Sequence, residues 1–314
     1  MTEHLEEYKG DFPAPKDFWE FWQKRMKEAD RITSSFYMEK AKIPSFQKCE
    51  FYDFWYYGIH GERLYAKVIL PTCTTPPPVI LQFHGYPGAS RSFLELASFA
   101  ALGFAVVSPD CPGQGGLGED TGGYVGTTVT GHLVAGLDGE VQDMYYVRLY
   151  QNFRILSNLL TKVPAIDGRQ VFVNGASQGG GIGTAFCALN PDRVKKAAIL
   201  YPFLSDFSKV WDLGADEIAY EGLRYYSRWF DPDGRKSKEM FRKLSYIDTK
   251  NFAPYVTCEV LFGTGLADTV CPVVTQTAVY NNLKCKKRRI FFEGFGHEEI
   301  QDFDDLLDAY FRED

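Results

Sequence analysis

Apolar positions recur along the chain with two different periods. Over Asp17 to Asp30, DFWEFWQKRMKEAD, the residues Phe18, Trp19, Phe21, Trp22 and Met26 share one helical face and the charges lie opposite. This spacing predicts an amphipathic helix packed on the protein's own body rather than on a membrane surface. Runs with β character follow: CEFYDFWYYG from Cys49, RLYAKVIL from Arg63, and PPPVILQFHG ending at Gly85. The first two alternate in part, as strands with one more exposed face do, and the third is nearly continuous in apolar residues, as a strand covered on both faces is.

Beyond Gly85 the rhythm becomes strand, glycine-rich turn, helix. Strands are expected at Phe104 to Asp110, Arg169 to Asn174, Lys196 to Phe203, Cys258 to Gly265 and Arg288 to Gly294. Helical spacing fills Ser90 to Leu102, Val141 to Leu160, Gln178 to Leu189, Val273 to Leu283 and Glu298 to Phe311. Such alternation predicts a mostly parallel sheet with helices on both faces. Eight strands with the antiparallel ones first is the order of an α/β-hydrolase. Two stretches break the rhythm: a glycine-rich loop from about Cys111 to Gly139, and an insertion over about 204–256 with helical pieces at Glu217 to Trp229 and Ser237 to Leu244. Because ligands bind beyond the carboxyl ends of strands in open α/β sheets, the insertion is expected to be a lid or cap. The expectation is one α/β-hydrolase domain over residues 1–314, with an N-terminal helical extension over about 1–45.

The stretch VNGASQGGG, Val173 to Gly181, contains a G-x-S-x-G at Gly175 to Gly179. It follows a β-type run and opens a helical segment of small residues, the strand-turn-helix setting of a nucleophile elbow, which makes Ser177 the expected nucleophile. A serine hydroxyl is a weak nucleophile and needs a base oriented by an acid, which follow in the order Ser, Asp or Glu, His in this fold. Of His4, His60, His84, His132 and His297, only His297 comes after Ser177, in GFGHEE past the last strand. The acid is expected after the preceding strand, where CEVLFGTGLAD puts Asp268; Asp206 and Asp248 lie in the insertion or its flanks. An oxyanion hole needs two backbone donors. The N–H of Gln178 at the helix start is one, and the N–H of Tyr86 in His84-Gly85-Tyr86-Pro87-Gly88 is the other, since Pro87 has no N–H to give. His84 is expected to fix that loop by hydrogen bonds rather than to act as a base.

Charge and composition narrow the classes. A net charge of −7 without a long Lys/Arg cluster argues against a nucleic-acid partner. The acidic start MTEHLEEYKG and the lack of any run of about 18 apolar residues predict a soluble, cytoplasmic protein with no membrane partner. Seven scattered cysteines without a CxxC pair predict reduced, mostly buried thiols and no metal site. Gly113-Gln114-Gly115-Gly116-Leu117-Gly118 fits GxGxxG, but EDTGGYVGTTVTG after it has no helical period to meet a pyrophosphate, so no dinucleotide or other cofactor is expected.

Together the segments PKDFWEFWQKRM, YDFWYYGIHGERLYAKVILP, FHGYPG, DCPGQGG, GASQGGGIG, LSYIDTKNFA, LADTVCPVVTQTAVYN and GHEE resemble the acetyl xylan esterases and cephalosporin-C deacetylases of carbohydrate esterase family seven. The resemblance covers nearly the whole chain. It implies an α/β-hydrolase with Ser177, Asp268 and His297 as the triad and the Tyr86 and Gln178 amides as the oxyanion hole. It also implies deacetylation of small acetylated sugars, xylo-oligosaccharides or cephalosporin C, and a homohexamer whose active sites face an inner cavity. Pro112 stands where the family usually has arginine, and GASQGG where GGSQGG is common. Competing expectations are a peptidase or acyl-thioesterase on the same fold, and a hydrolase fold retained as a non-catalytic binding protein.

Overall fold

A computed structural model describes residues 5–44, 46–126, 131–215, 217 and 220–313. His4 and residues 218–219 of the helix expected from Glu217 lie outside them. One sheet holds β1 (Phe36–Lys40), β2 (Cys49–Tyr57), β3 (Arg63–Pro71), β4 (Pro78–Phe83), β5 (Ala105–Pro109), β6 (Asp167–Ala176), β7 (Val194–Leu200), β8 (Glu259–Gly265) and β9 (Lys287–Phe292). Their spatial order is β1-β2-β3-β5-β4-β6-β7-β8-β9. Pairing is antiparallel from β1 through β3 to β5 and parallel from β5 to β9. This is the α/β-hydrolase arrangement, with nine strands instead of the expected eight. The additional strand is β1, FYMEK, an edge strand buried at none of its five positions, which therefore lacks the alternation that marks β2.

The helices are α1 (Phe18–Asp30), α2 (Phe93–Ala101), α3 (Tyr145–Leu160), α4 (Gln178–Leu189), α5 (Phe207–Leu213), α6 (Glu221–Phe230), α7 (Ser237–Leu244), α8 (Thr249–Phe252), α9 (Val273–Asn282) and α10 (Gln301–Arg312). The central strands are covered on both faces: all five residues of β5 are buried, as are all but the first of β4. α2 begins three residues later than its apolar spacing suggests. Ser92 and Glu95 form a capping box, with Glu95 N–H donating to Ser92 Oγ at 3.2 Å and Ser92 N–H to Glu95 Oε2 at 3.0 Å, and this fixes the first turn at Phe93.

α1 turns its apolar face inward, burying Phe18, Trp22, Met26 and Ala29. The Trp22 indole donates to the Tyr246 carbonyl at 2.8 Å, and Trp19 stacks on Tyr255 with ring centroids 3.8 Å apart. Burial of Trp22 and Phe18 contributes roughly 1.5–3 kcal/mol each, enough to hold the extension on the insertion. Among the described residues no helix is long and apolar enough to cross a membrane. The stretch between β7 and β8 carries α5 to α8, two helices more than the sequence pattern suggests, because α5 and α8 are too short to establish a period.

Register then decides which loops meet. β4 and β6 are parallel neighbours with Phe83 opposite Gly175, so the turns that follow them emerge side by side at the carboxyl edge. β8 and β9 pair Gly265 with Phe292, which brings the segments carrying Asp268 and His297 out together.

Candidate active site

Ser177 sits between β6 and α4 at φ +55° and ψ −122°, a backbone conformation that costs a non-glycine residue about 1–3 kcal/mol. Backbone bonds hold it there: Ser177 N–H donates to Leu200 O at 3.0 Å, and Ser177 O accepts from Phe203 N–H at 2.9 Å and Gly181 N–H at 3.0 Å. The turn closes only because its neighbours lack side chains. A Cβ on Gly179 would lie 2.1 Å from Phe83 O, and one on Gly175 would lie 2.3 Å from Gly179 O. The hydroxyl makes no capping bond to α4.

Ser177 Oγ lies 2.9 Å from His297 Nε2, and His297 Nδ1 lies 2.9 Å from Asp268 Oδ2. Asp268 Oδ1 accepts from Val270 N–H at 2.9 Å and Cys271 N–H at 2.8 Å, and Oδ2 accepts also from Gln276 Nε2 at 3.3 Å. With donors on both oxygens the group acts as an acceptor, so His297 carries its proton on Nδ1 and turns the Nε2 lone pair to the serine hydroxyl. The Asp268 side chain is fully buried and that of His297 is 21% exposed, which leaves the base open to a substrate and the acid closed to water. Tyr201 supports the imidazole from one side, with ring centroids 4.7 Å apart and its hydroxyl donating to Glu298 O at 2.6 Å.

The other acids considered from sequence lie elsewhere. Asp206 and Asp248 flank the buried Lys250, whose Nζ is 3.6 Å from Asp206 Oδ1 and 2.6 Å from Asp248 Oδ2. Tyr8 Oη donates to Asp206 Oδ2 at 2.5 Å. Burial pushes the Asp206 carboxyl above its ordinary pKa in spite of Lys250. This cluster braces the loop after β7, where Tyr201, Leu204 and Asp206 all have positive φ.

His84 fixes the loop after β4, as expected. Cys111 N–H donates to its Nε2 at 2.9 Å, so Nδ1 carries the proton and donates to Gly85 O at 2.7 Å. Burial holds this imidazole below its ordinary pKa of 6.5. Because the unfolded chain takes up the proton more readily, the stability contributed by neutral His84 is present above about pH 6.5 and is lost as pH falls toward the lowered folded-state value. Thermal melts between about pH 7 and 5 should therefore show Tm falling with acidification, with a shallower slope in His84→Gln; an unaltered slope in that variant would contradict the assignment.

Tyr86 follows in the same loop, its ring 6.4 Å from that of Phe203, which in turn lies 4.6 Å from Tyr220. Its hydroxyl is 3.4 Å from His132 Nδ1. Gln178 is the first residue of α4, so its N–H has no partner within the helix. Gly113 to Gly118 open no helix and instead fold over the loop after β4. A 520 Å³ cavity between α2 and α10 is lined by Ala176 and Tyr201 but by neither Ser177 nor His297, so it lies behind the elbow rather than before it. Among the described residues, the grouping able to approach one ion is Asp268, Cys271 and His297, with ligand atoms within 4.8 Å. Both Asp268 oxygens are already committed to protein donors, so these residues read as a hydrogen-bonded support and not as a metal centre.

Sequence reasoning did not single out Gln276 or Tyr201. Only Gln276 had a readable signal, standing in the first turn of α9, just after the loop that carries Asp268, where its amide bonds both Asp268 and Cys271 O, the latter at 2.6 Å.

The model of the acetyl xylan esterase (AXE1) family matches residues 1–313. The chain belongs to that family. Acetyl esterase Axe7A of Xylanibacter ruminicola is 28% identical over 288 residues, which is 88% of this chain; the match spans 62% of that relative's length. The crystal structure of acetyl xylan esterase 1 from Thermoanaerobacterium sp. JW/SL YS485 superposes with a TM-score of 0.95 at 37% identity, covering 99% of this chain and 97% of that one. Acetyl xylan esterase from Paenibacillus sp. R4 superposes with a TM-score of 0.93 at 26% identity, covering 99% and 98%. In this AXE1 member the Pro112 carbonyl, at the position of the expected arginine, accepts from the Tyr145 hydroxyl at 2.8 Å.

Proposed function

We propose that the protein is a serine esterase that removes acetyl groups from small acetylated sugars such as xylo-oligosaccharides, or from cephalosporin C. The reading is carried by the hydrogen-bonded series Ser177, His297, Asp268 on a strained elbow, in a chain of the AXE1 family. His297, oriented by Asp268, takes the proton as Ser177 Oγ attacks the acetyl carbonyl. The developing oxyanion is bound by the Tyr86 and Gln178 amides, the latter aided by the positive end of α4. His297 then protonates the leaving hydroxyl, and water activated by the same residue releases acetate.

Phe203, whose N–H bonds to Ser177 O, packs its ring 4.6 Å from that of Tyr220, and both are about 1% exposed; we take this pair as the wall that limits the acyl group. We expect 4-nitrophenyl acetate and peracetylated xylobiose to be turned over and the butyryl ester to fall by at least about tenfold in kcat/KM. Equal rates on long acyl esters would favour a thioesterase, turnover of aminoacyl amides a peptidase, and silence in folded protein a binding role. The proposal extends to the helical insertion as a cap, and to a homohexamer, as the family resemblance implies; light scattering reads that mass directly. All seven cysteines are free thiols, which suits a reducing, cytoplasmic setting.

A further inference from the structure

We infer that Gln114, in the glycine-rich turn after β5, is a positioning residue for both oxyanion-binding amides, acting through the side chain of Gln178; this rests on the esterase reading above.

The Gln178 side chain is fully buried and every polar position on it has a partner. Its Oε1 accepts from Gln114 Nε2 at 2.8 Å and from Tyr146 Oη at 2.7 Å. Its Nε2 donates to Gln114 Oε1 at 2.8 Å and reaches Gly85 O at 3.4 Å and His84 O at 3.5 Å. The two glutamines thus form a reciprocal amide pair, closed from the far side by the Tyr146 hydroxyl.

The contact with Gly85 O explains why this pair bears on chemistry. Gly85 C=O and Tyr86 N–H belong to one planar peptide and point in opposite directions. Whatever holds the carbonyl aims the amide. Gln178 Nε2 and His84 Nδ1 both hold it, so one side chain ties the start of α4, which supplies the Gln178 N–H, to the peptide that supplies the Tyr86 N–H. Gln114 and Tyr146 in turn keep that side chain from rotating. Both amides then face the reacting oxygen without further reorganisation.

The glycines of the turn let Gln114 reach this position. A Cβ on Gly115 would stand 3.0 Å from Gly88 O, and one on Gly116, at φ +69°, would stand 2.1 Å from Asp110 Oδ2. Asp110 accepts from Ser90 N–H and from Leu117 N–H, both at 2.8 Å, and so clasps the two loops together. The GxGxxG spacing therefore serves close backbone approach between two protein loops, and Gln114 is the side chain it delivers.

The test compares wild type, Gln114→Ala, Gln178→Ala and the double variant on 4-nitrophenyl acetate, beside a Ser177→Ala control. Gln114→Ala should lower kcat by about ten- to hundredfold with KM changed by less than about threefold, since the interaction lost is one that matters as charge develops. Affinity for a trifluoromethyl ketone, which binds as an oxyanion adduct, should fall by the same factor. On the Gln178→Ala background the Gln114 change should add no more than about twofold. Gln114→Glu, similar in shape, guards against misfolding of the alanine variant and should show the same split between kcat and KM. An unchanged kcat, a rise in KM alone, or a loss that adds in full to that of Gln178→Ala would each overturn the inference. An inactive wild type would instead refute the esterase reading itself.

Discussion

Ser177→Ala should lower acetyl-ester hydrolysis by about 10⁴-fold or more while the protein stays folded. The size of the effect follows from the role proposed for the hydroxyl: it forms the bond to the acetyl carbon, and without it the remaining donors have no oxyanion formed by attack of the protein to stabilise. Folding should be little altered, because the strained backbone is held by Leu200 O, Phe203 N–H and Gly181 N–H and not by the side-chain bond to His297 Nε2. Steady-state rates beside circular dichroism and Tm check both halves. Activity within about tenfold of wild type would place the nucleophile elsewhere.

Asp268→Asn should cost about 10⁴-fold in kcat although it removes a single charge and almost no volume. Asp268 Oδ1 receives two backbone N–H groups and an asparagine would keep its carbonyl there, which turns the amide NH₂ toward His297. Facing a donor, the imidazole must offer a lone pair from Nδ1 and carry its proton on Nε2, and it can then no longer accept the Ser177 proton. Binding should be spared, so KM should move far less than kcat. Equal losses from Asp206→Asn or Asp248→Asn would contradict the choice of acid, since both lie around Lys250 and not beside His297.

The three side chains that the structure brings together could be picked out in the sequence because each follows a strand whose own residues announce it. VFVN before Ser177, EVLFG before Asp268 and RIFF before His297 are short apolar runs of β character, legible even though β9 is an edge strand that leaves Phe291 exposed, and chain order suggested the expected roles. Register did the rest, since neighbouring parallel strands end at one edge. β1 escaped notice because an exposed edge strand of five residues need satisfy no burial pattern. Helices α5 and α8 escaped for want of length. The pairing of Gln114 with Gln178 lies beyond any local reading: the residues are 64 apart in sequence and meet only when two loops fold over one another. The same glycines fit GxGxxG in sequence, where the want of a following helix speaks against a phosphate cradle; the pattern is shared because a close approach of backbone to backbone and of backbone to pyrophosphate call for the same missing side chain.

In the proposed mechanism Ser177 carries acetyl-ester hydrolysis. Its most direct test is to titrate the wild-type protein with a fluorophosphonate, map the labelled peptide by mass spectrometry, and read acetate release from peracetylated xylobiose on the same samples. One label per chain is expected, on the peptide holding Ser177, with acetate release declining in proportion to labelling. Acetate release that survives full labelling, or a label on any other residue that tracks the loss, would contradict it.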